Sequence, residues 1–429
     1  MNRKNIYSLL AALAFTPVLG QAQNANTNDA NAHSAAMTPA QKLVASTGED
    51  LLTSNAGNDA QTVISGYGQA SFQRNNQYQN NHVNLDRVVL FVGHQFNQKI
   101  ALFTELEVED AKVEGGDLLG TVGMEQAYLK FSLNPRQYFV AGLFLPRIGI
   151  INENHLPINF NGVERPLVEQ FIIPSTWREI GLGFYSQMST LPISYSVALV
   201  NGLDAGSFNH GTGLQGGRGE GQMASANNIA VTAAVNAYVQ NFRFQISGYA
   251  GGTVPLTKYQ ADSLKSISGY FAAPVYLGEA DVQYYKNGFS AKALGVYVAY
   301  PEADEINRLY ANNSPKSMYG AYAEVAYDIF HGFSKPAFDD KSLIAFARYE
   351  RLNMNASIPD NGITDGTLDQ SHVVLGFNYL PMHNVTIKAD VRLTHTGPQN
   401  KALIINPPPV MFPYPQNNSF INVGVGYSF

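Results

Sequence analysis

Cysteine is absent from the 429 residues, which excludes a disulfide framework, a thiolate nucleophile, a Cys-ligated zinc or iron–sulfur centre and a lipid-modified N-terminal Cys. Charge is scarce: Asp, Glu, Lys and Arg make up 14% of the chain, against about 25% in an ordinary soluble domain. The 27 basic residues are outnumbered by 33 acidic ones, so no basic face is available for nucleic acid. Long apolar runs are missing too. Past the N-terminus none approaches the roughly 18 to 20 residues of a transmembrane helix. No G-x-S-x-G, H-E-x-x-H or P-loop pattern occurs, and the nine His are scattered. What is abundant is Gly, with 38, and aromatics, with 24 Tyr and 24 Phe. Low charge, much Gly, many aromatics and no helical span together match a transmembrane β-barrel.

Arg3 and Lys4, the apolar stretch Ile6 to Phe15 and Gly20-Gln21-Ala22 form a secretory signal peptide over 1–22. Its apolar part is about half as long as a membrane span requires. Residues 23–60, rich in Asn, Ala, Ser and Thr, hold too few large apolar side chains for a core and read as a periplasmic tail. Within the tail, Thr38-Pro39-Ala40-Gln41 has the form of a helix start: a capping Thr, Pro in the first turn and Gln three residues after the cap. A short helix from about Pro39 to Ser46 is expected.

From Thr62 onward the period is two, which sends alternate side chains to opposite faces of a strand. In Ile100 to Val108, for example, Ile100, Leu102, Leu106 and Val108 alternate with Phe103, Glu105 and Glu107. Sixteen such segments can be placed, at 62–74, 83–96, 99–109, 121–133, 136–146, 177–188, 192–202, 225–239, 241–253, 274–286, 289–301, 318–330, 341–353, 369–380, 384–396 and 417–429. Connections after even-numbered strands are short, at residues such as Asn97-Gln98 and Asn287-Gly288, and those after odd-numbered strands are long. The expected fold is therefore all-β, a transmembrane antiparallel β-barrel of about 16 strands over 61–429, in the outer membrane of a Gram-negative bacterium. An even strand count leaves both termini periplasmic.

Aromatics near the short turns, including Phe96, Tyr138, Tyr185, Phe242, Phe289 and Tyr327, are expected to form an interfacial girdle against outer-membrane lipid. In the last strand Ile421, Val423, Val425, Tyr427 and Phe429 share one face. A final strand ending in Phe resembles the signal read by the barrel assembly machinery, which makes that machinery an expected partner.

A sixteen-stranded barrel encloses a channel, so whatever narrows it decides what passes. The connection 146–176 is unusually apolar, with Ile148, Ile150, Ile151, Leu156, Phe160, Ile172 and Ile173. Folding inward against the wall would bury these side chains. Charged candidates at this constriction are Arg147, Glu153, Glu164, Arg165, Glu169 and Arg178. Candidates on the pore wall are Arg87, Glu105, Glu107, Lys130, Lys388 and Arg392.

The run Val140-Ala141-Gly142-Leu143-Phe144-Leu145-Pro146, then Glu164-Arg165-Pro166-Leu167, Pro174 and Arg178-Glu179-Ile180-Gly181-Leu182-Gly183, resembles the phosphate-selective porin O/P family. Arg87 and Arg348-Tyr349-Glu350 sit where such porins carry similar residues. The motif covers about forty residues, and strand count and C-terminus extend the likeness loosely over the barrel. The resemblance implies a trimeric, water-filled channel for passive diffusion of small hydrophilic solutes or ions. A phosphate pore should present a ladder of cationic donors. Between Pro146 and Glu179, however, three Arg face four Glu, so a transverse field with weak charge preference is expected instead.

Two other classes of function are compatible with such a barrel. One is a surface-interaction barrel, displaying the Gly-rich loop 211–221 and the Pro-rich loop 406–415; the other is an outer-membrane hydrolase. Glu153 and His155 form a Glu-x-His pair that lacks a third metal ligand by spacing. The expectation is a chain without catalytic residues, cofactor or metal.

Overall fold

Strict alternation leaves each strand with a greasy face and a polar face, and the two can both be satisfied only if one meets lipid and the other water or protein. The computed structural model, which describes residues 36–45, 60–110, 121–333, 338, 340–400, 403 and 415–429, resolves this by closing the sheet on itself. The signal segment 1–22, most of the tail and most of the Pro-rich loop 406–415 lie outside the described residues. Helix α1 (Pro39–Ala45) is followed by strands β1 (Gln61–Asn75), β2 (Asn80–Gln95), β3 (Ile100–Glu109), β4 (Thr121–Asn134) and β5 (Gln137–Phe144). An inward loop carrying helix α2 (Leu167–Phe171) leads to β6 (Glu179–Gln187), β7 (Ile193–Asn201), β8 (Ile229–Val239) and β9 (Phe242–Gly251). Helix α3 (Lys258–Leu264), β10 (Val275–Lys286), β11 (Phe289–Ala299), helix α4 (Ala303–Tyr310) and β12 (Ser317–Asp328) come next. The chain ends with β13 (Ser342–Ser357), β14 (Asp369–Met382), β15 (Val385–Thr396) and β16 (Asn417–Ser428).

All sixteen expected strands are present, with ends shifted by at most four residues. The first hairpin departs from the expected alternation of loop lengths. β1 and β2 are joined by only Asn76 to Gln79, a turn in which Asn75 Oδ1 accepts the Tyr78 N–H at 3.2 Å. Every strand pairs antiparallel with its sequence neighbour, and β1 pairs with β16 from Tyr67↔Ser428 to Asn75↔Phe420, so no sheet edge remains.

Burial runs opposite to that of a soluble protein. On β16 the apolar Ile421, Val423, Val425 and Tyr427 are exposed while Asn422 and Ser428 are buried, and on β3 Leu106 is exposed while Glu105 and Glu107 are buried. The outer face is the lipid face. Phe96, Phe242, Phe289 and Tyr327 join it as expected of a girdle. Tyr138 and Tyr185 do not: their rings stack at 4.9 Å beside Lys130 and Arg147, whose charged heads lie 4.7 Å from the Tyr138 and Tyr185 ring centres respectively.

The 146–176 connection folds into the lumen. Ile148, Ile150, Ile151, Val168, Ile172, Ile173 and Trp177 pack with wall residues such as Val200, Val275, Leu277, Val298 and Met318 in one apolar cluster. Trp177 is fully buried there, against Tyr249, and its indole N–H donates to Glu179 at 2.8 Å. The loop leaves between β5 and β6 and reaches the strands on the far side of the ring. Glycines mark where it touches. A Cβ on Gly426 of β16 would meet Pro157 Cβ at 2.6 Å, and one on Gly320 of β12 would meet Val168 Cγ1 at 2.7 Å.

A loop inside a barrel has backbone groups that need partners, and wall side chains supply them. Lys388 Nζ donates to Phe160 O at 2.8 Å, Arg348 Nη1 to Asn161 O at 3.0 Å and Gln69 Nε2 to Val163 O at 2.9 Å. In return the Val163 N–H donates to Asp390 Oδ2 at 2.7 Å and the Val168 N–H to Glu350 Oε2 at 3.0 Å. Inside the loop, Glu169 Oε2 accepts the Ile150 and Ile151 N–H groups at 2.9 and 2.7 Å, and its Oε1 accepts the Tyr322 hydroxyl at 2.7 Å.

Burial pushes the Glu169 carboxyl up to about 7, against the lowering effect of these hydrogen bonds. A carboxyl raised in the folded state contributes stability that is full below its unfolded value, near 4.5, and is lost as pH climbs through about 7. Glu169→Gln, which mimics the neutral acid, should therefore flatten the fall in melting temperature between pH 5 and pH 8. Glu169→Ala, which strands two buried N–H groups and a hydroxyl, should cost about 3 kcal/mol. Circular-dichroism melts in detergent measure both, and an unchanged pH profile in the Gln variant would remove Glu169 as the titrating group.

Candidate functional site

The loop separates two water-accessible cavities. One, of about 830 Å³, opens at the short-turn end and is lined by α1 together with Lys130, Tyr138, Arg147, Glu153 and Arg243. The other, of about 1240 Å³, opens at the long-loop end and is lined by Arg87, Glu107, Glu109, Glu164, Arg165, Arg178, Arg218 and Glu220. The charges expected at the constriction thus divide between the cavities and the loop's own interior.

Arg147 and Glu153 belong to the first cavity and pair with each other at 2.9 Å. Glu164, Arg165 and Arg178 belong to the second. Arg178 is paired with Glu220 at 3.0 Å and lies 3.6 Å from Glu125, while Arg218 holds the other oxygen of Glu220 at 2.8 Å. Glu164 is paired with Arg392. Glu169 lines neither cavity; its carboxylate is spent on the loop backbone and Tyr322, which corrects its placement among the pore charges.

Arg165 differs from the rest. Among the described residues no carboxylate pairs with its guanidinium, although the residue is mostly buried and faces the second cavity. Burial, followed by the neighbouring positive charge of Arg87, pulls it below the ordinary arginine value. An unpaired, poorly solvated guanidinium in an aqueous vestibule is a ready partner for an anion passing through.

The wall candidates also divide. Arg87 faces the second cavity with Glu107 at 3.0 Å and Glu109 at 3.3 Å, three charges in a row along the wall. Lys130 faces the first, where its ammonium donates to the Val44 and Ala45 carbonyls at 2.6 and 3.3 Å and so closes the C-terminal end of α1. Lys388 and Arg392 touch neither cavity and hold the loop instead, as does the luminal Arg348 between Glu324 at 3.1 Å and Glu350 at 2.8 Å. Glu105 is fully buried behind the loop, where it accepts from Gln126 at 2.6 Å and lies 3.0 Å from His155.

Two features were not legible as site residues. Glu125 lies in β4 at a β-bulge: Glu105 pairs with Gln126 and Leu106 with Met124, so Glu125 is the extra residue, and it and Gln126 are both buried. A bulge breaks the period of two, and with it the signal that marks an inward residue. The second feature is the place of α1. The Thr38-Gln41 cap forms as expected, with the Thr38 N–H donating to Gln41 Oε1 at 2.9 Å. The helix does not hang free of the barrel, however. Ala40 and Val44 pack against Tyr67, Val89, Phe91 and Phe103 on the inner wall and Leu156 of the inward loop, and Ala36 exchanges two hydrogen bonds of 2.9 and 3.0 Å with Asn159 of the same loop.

No model of a known protein family matches the chain. An uncharacterised protein of Aquifex aeolicus (strain VF5) is 29% identical over 339 residues, which is 76% of this chain and 74% of that one. Among solved structures, the barrel is similar to the loop L8 deletion mutant of OmpT, an outer membrane protein of Vibrio cholerae (TM-score 0.51, 11% identity, 86% of this chain and 99% of the other). It is similar also to the anion-selective porin from Comamonas acidovorans (TM-score 0.51, 8% identity, 86% and 100%) and to the outer membrane channel DcaP of Acinetobacter baumannii (TM-score 0.50, 12% identity, 87% and 99%). At these identities the likeness is one of fold: this chain is a closed, sixteen-stranded antiparallel barrel of the outer-membrane type.

Proposed function

We propose that the chain is an outer-membrane porin, a passive channel for small hydrophilic solutes and ions with a weak preference set by a mixed-charge constriction. The carrying observation is the inward loop, which crosses the lumen to the far wall and leaves Arg165 without a carboxylate partner among the described residues. The three neighbours of this fold are described as an outer membrane protein, an anion-selective porin and an outer membrane channel, which supports the same reading. The proposal includes export by the 1–22 signal segment, periplasmic termini, recognition of the strand ending in Phe429 by the assembly machinery, and a homotrimer in outer-membrane lipid. The trimer and the use of phosphate rest on the resemblance to the phosphate-selective family. Arg165 beside Arg87 supplies two cationic groups facing the same vestibule, against the carboxylates Glu107, Glu109 and Glu164, so phosphate is a permeant or weak blocker and not a tightly selected ligand.

A hydrolase reading has less support. The outer-loop His210 has Asp365 at 2.9 Å from Nε2 and Asn313 at 3.0 Å from Nδ1, so both ring nitrogens are engaged and neither serves a nucleophile.

Single-channel recording in planar bilayers under a KCl gradient tests the proposal, and absence of conductance would overturn it. Arg165→Ala and Arg178→Ala should each shift the reversal potential toward cations, with the chloride-to-potassium permeability ratio falling about two-fold. Unchanged selectivity in both would discard their assignment. A chain beginning after Ala45, and so lacking α1, should show a higher unit conductance; an equal one would place α1 outside the conducting path.

A further inference from the structure

Behind the inward loop, on the wall of β3 and β4, three ligand-type side chains converge. Glu105, Glu125 and His155 each offer one atom to a common point, all of those atoms lying within 4.8 Å of one another, and all three residues are buried. His155 Nε2 is 3.0 Å from Glu105 Oε1 and 3.7 Å from Glu125 Oε2. Glu125 Oε2 is buried and has no hydrogen-bond partner among the described residues.

One acceptor of this cluster, Glu125 Oε2, is left unserved by the described protein groups. His155 Nδ1 lies 2.9 Å from the Asn152 carbonyl oxygen. A carbonyl only accepts, so Nδ1 carries a ring hydrogen and Nε2 is the nitrogen turned toward the carboxylates. Nε2 faces both inner carboxylate oxygens, and a hydrogen on it reaches only Glu105 Oε1, at 3.0 Å, and not Glu125 Oε2, at 3.7 Å. The outer oxygens are already served: Gln126 Nε2 donates to Glu105 Oε2 at 2.6 Å, Thr176 Oγ1 donates to Glu125 Oε1, and Arg178 Nη1 lies 3.6 Å from the same oxygen. The inner three atoms therefore converge on one point, with Glu125 Oε2 left without a donor among the described residues.

We propose that Glu105, Glu125 and His155 bind one first-row divalent cation, zinc being the best match. A carbonyl holding the far nitrogen of a histidine, with hydrogen bonds to the far oxygens of the carboxylates, is the outer shell that orients metal ligands. Two carboxylates balance a divalent charge, and the imidazole nitrogen selects against magnesium and calcium. Tetrahedral zinc with bonds of about 2.0 to 2.1 Å holds its ligand atoms about 3.3 Å apart. The distances of 3.0 and 3.7 Å fall on either side of that value and the third pair lies within 4.8 Å, so side-chain shifts suffice to bring all three onto one ion. The ion joins a loop residue to two adjacent wall strands and clamps the root of the constriction. Glu153, the sequence neighbour that spacing suggested as a ligand, takes no part, being paired with Arg147.

The test is metal content and affinity of the refolded full-length barrel, which does not depend on whether it conducts. Protein folded in EDTA and desalted should take up one equivalent of zinc(II) in excess magnesium, by elemental analysis and calorimetry. Cobalt(II) in its place should give a visible ligand-field band. Glu125→Gln, neutral and isosteric, and His155→Gln should each weaken zinc binding by at least about 100-fold, with folding checked by heat-modifiable gel mobility. Wild-type protein that takes up no zinc, or no more than folded Glu125→Gln or His155→Gln, overturns the proposal and leaves a proton shared among the three groups. Should neither variant fold, the wild-type cobalt spectrum decides: a band displaced by one equivalent of zinc supports the site, and no band overturns it.

Discussion

The constraint on which everything else depends is the pairing of β1 with β16. In hydrocarbon an unpaired N–H or C=O costs several kcal/mol, so a sheet in that environment must have no edges. Once Tyr67↔Ser428 through Asn75↔Phe420 are joined, the outer face is committed to lipid and every polar residue of the repeat is turned toward the inside. Burial of Glu105, Glu279, Arg348, Lys388 and Asp390 is thus a result of closure and needs no separate explanation.

The inward charges then serve two purposes. Where the loop passes close, they become struts: Lys388, Arg348, Asp390 and Glu350 all end on loop backbone atoms. Charge-assisted hydrogen bonds in a poorly hydrated lumen are stronger than neutral ones, and they bind to the main chain, so the path of the loop is fixed regardless of which side chains it carries. Where the loop stands away, as at Arg87 and Arg178, the charges face water, as does the loop's own Arg165, and can act on solute. Sorting a luminal charge into one role or the other requires knowing where the loop lies.

That explains what could be read from the sequence. Strand positions, strand number and the inward turn of 146–176 follow from local periodicity and from apolar side chains with nowhere else to go, and these were legible. The pairing of Glu164 with Arg392 and the use of Glu169 inside the loop were not, because both depend on contacts far along the chain. Glu125 was hidden by a bulge that shifts the alternation by one. Helix α1 was legible as a helix from its Thr38-Gln41 cap, but its docking on Val89, Phe91 and Leu156 was not. Nothing local distinguishes a short apolar helix that lies in a mouth from one that lies outside it.

The main-chain struts also impose an order on assembly. The Val163 N–H is bonded to a residue 227 positions later, and Asn161 to one 187 positions later. While β13 to β15 are still unplaced, the loop lacks the struts of Arg348, Glu350, Lys388 and Asp390 and rests on its contacts with earlier strands, among them Gln69, Tyr322 and the apolar cluster. Bridging such separations is slow because loop closure precedes any reward. Complete anchoring of the loop therefore coincides with placement of the last wall strands, and a barrel interrupted before that stage holds its loop on one side only.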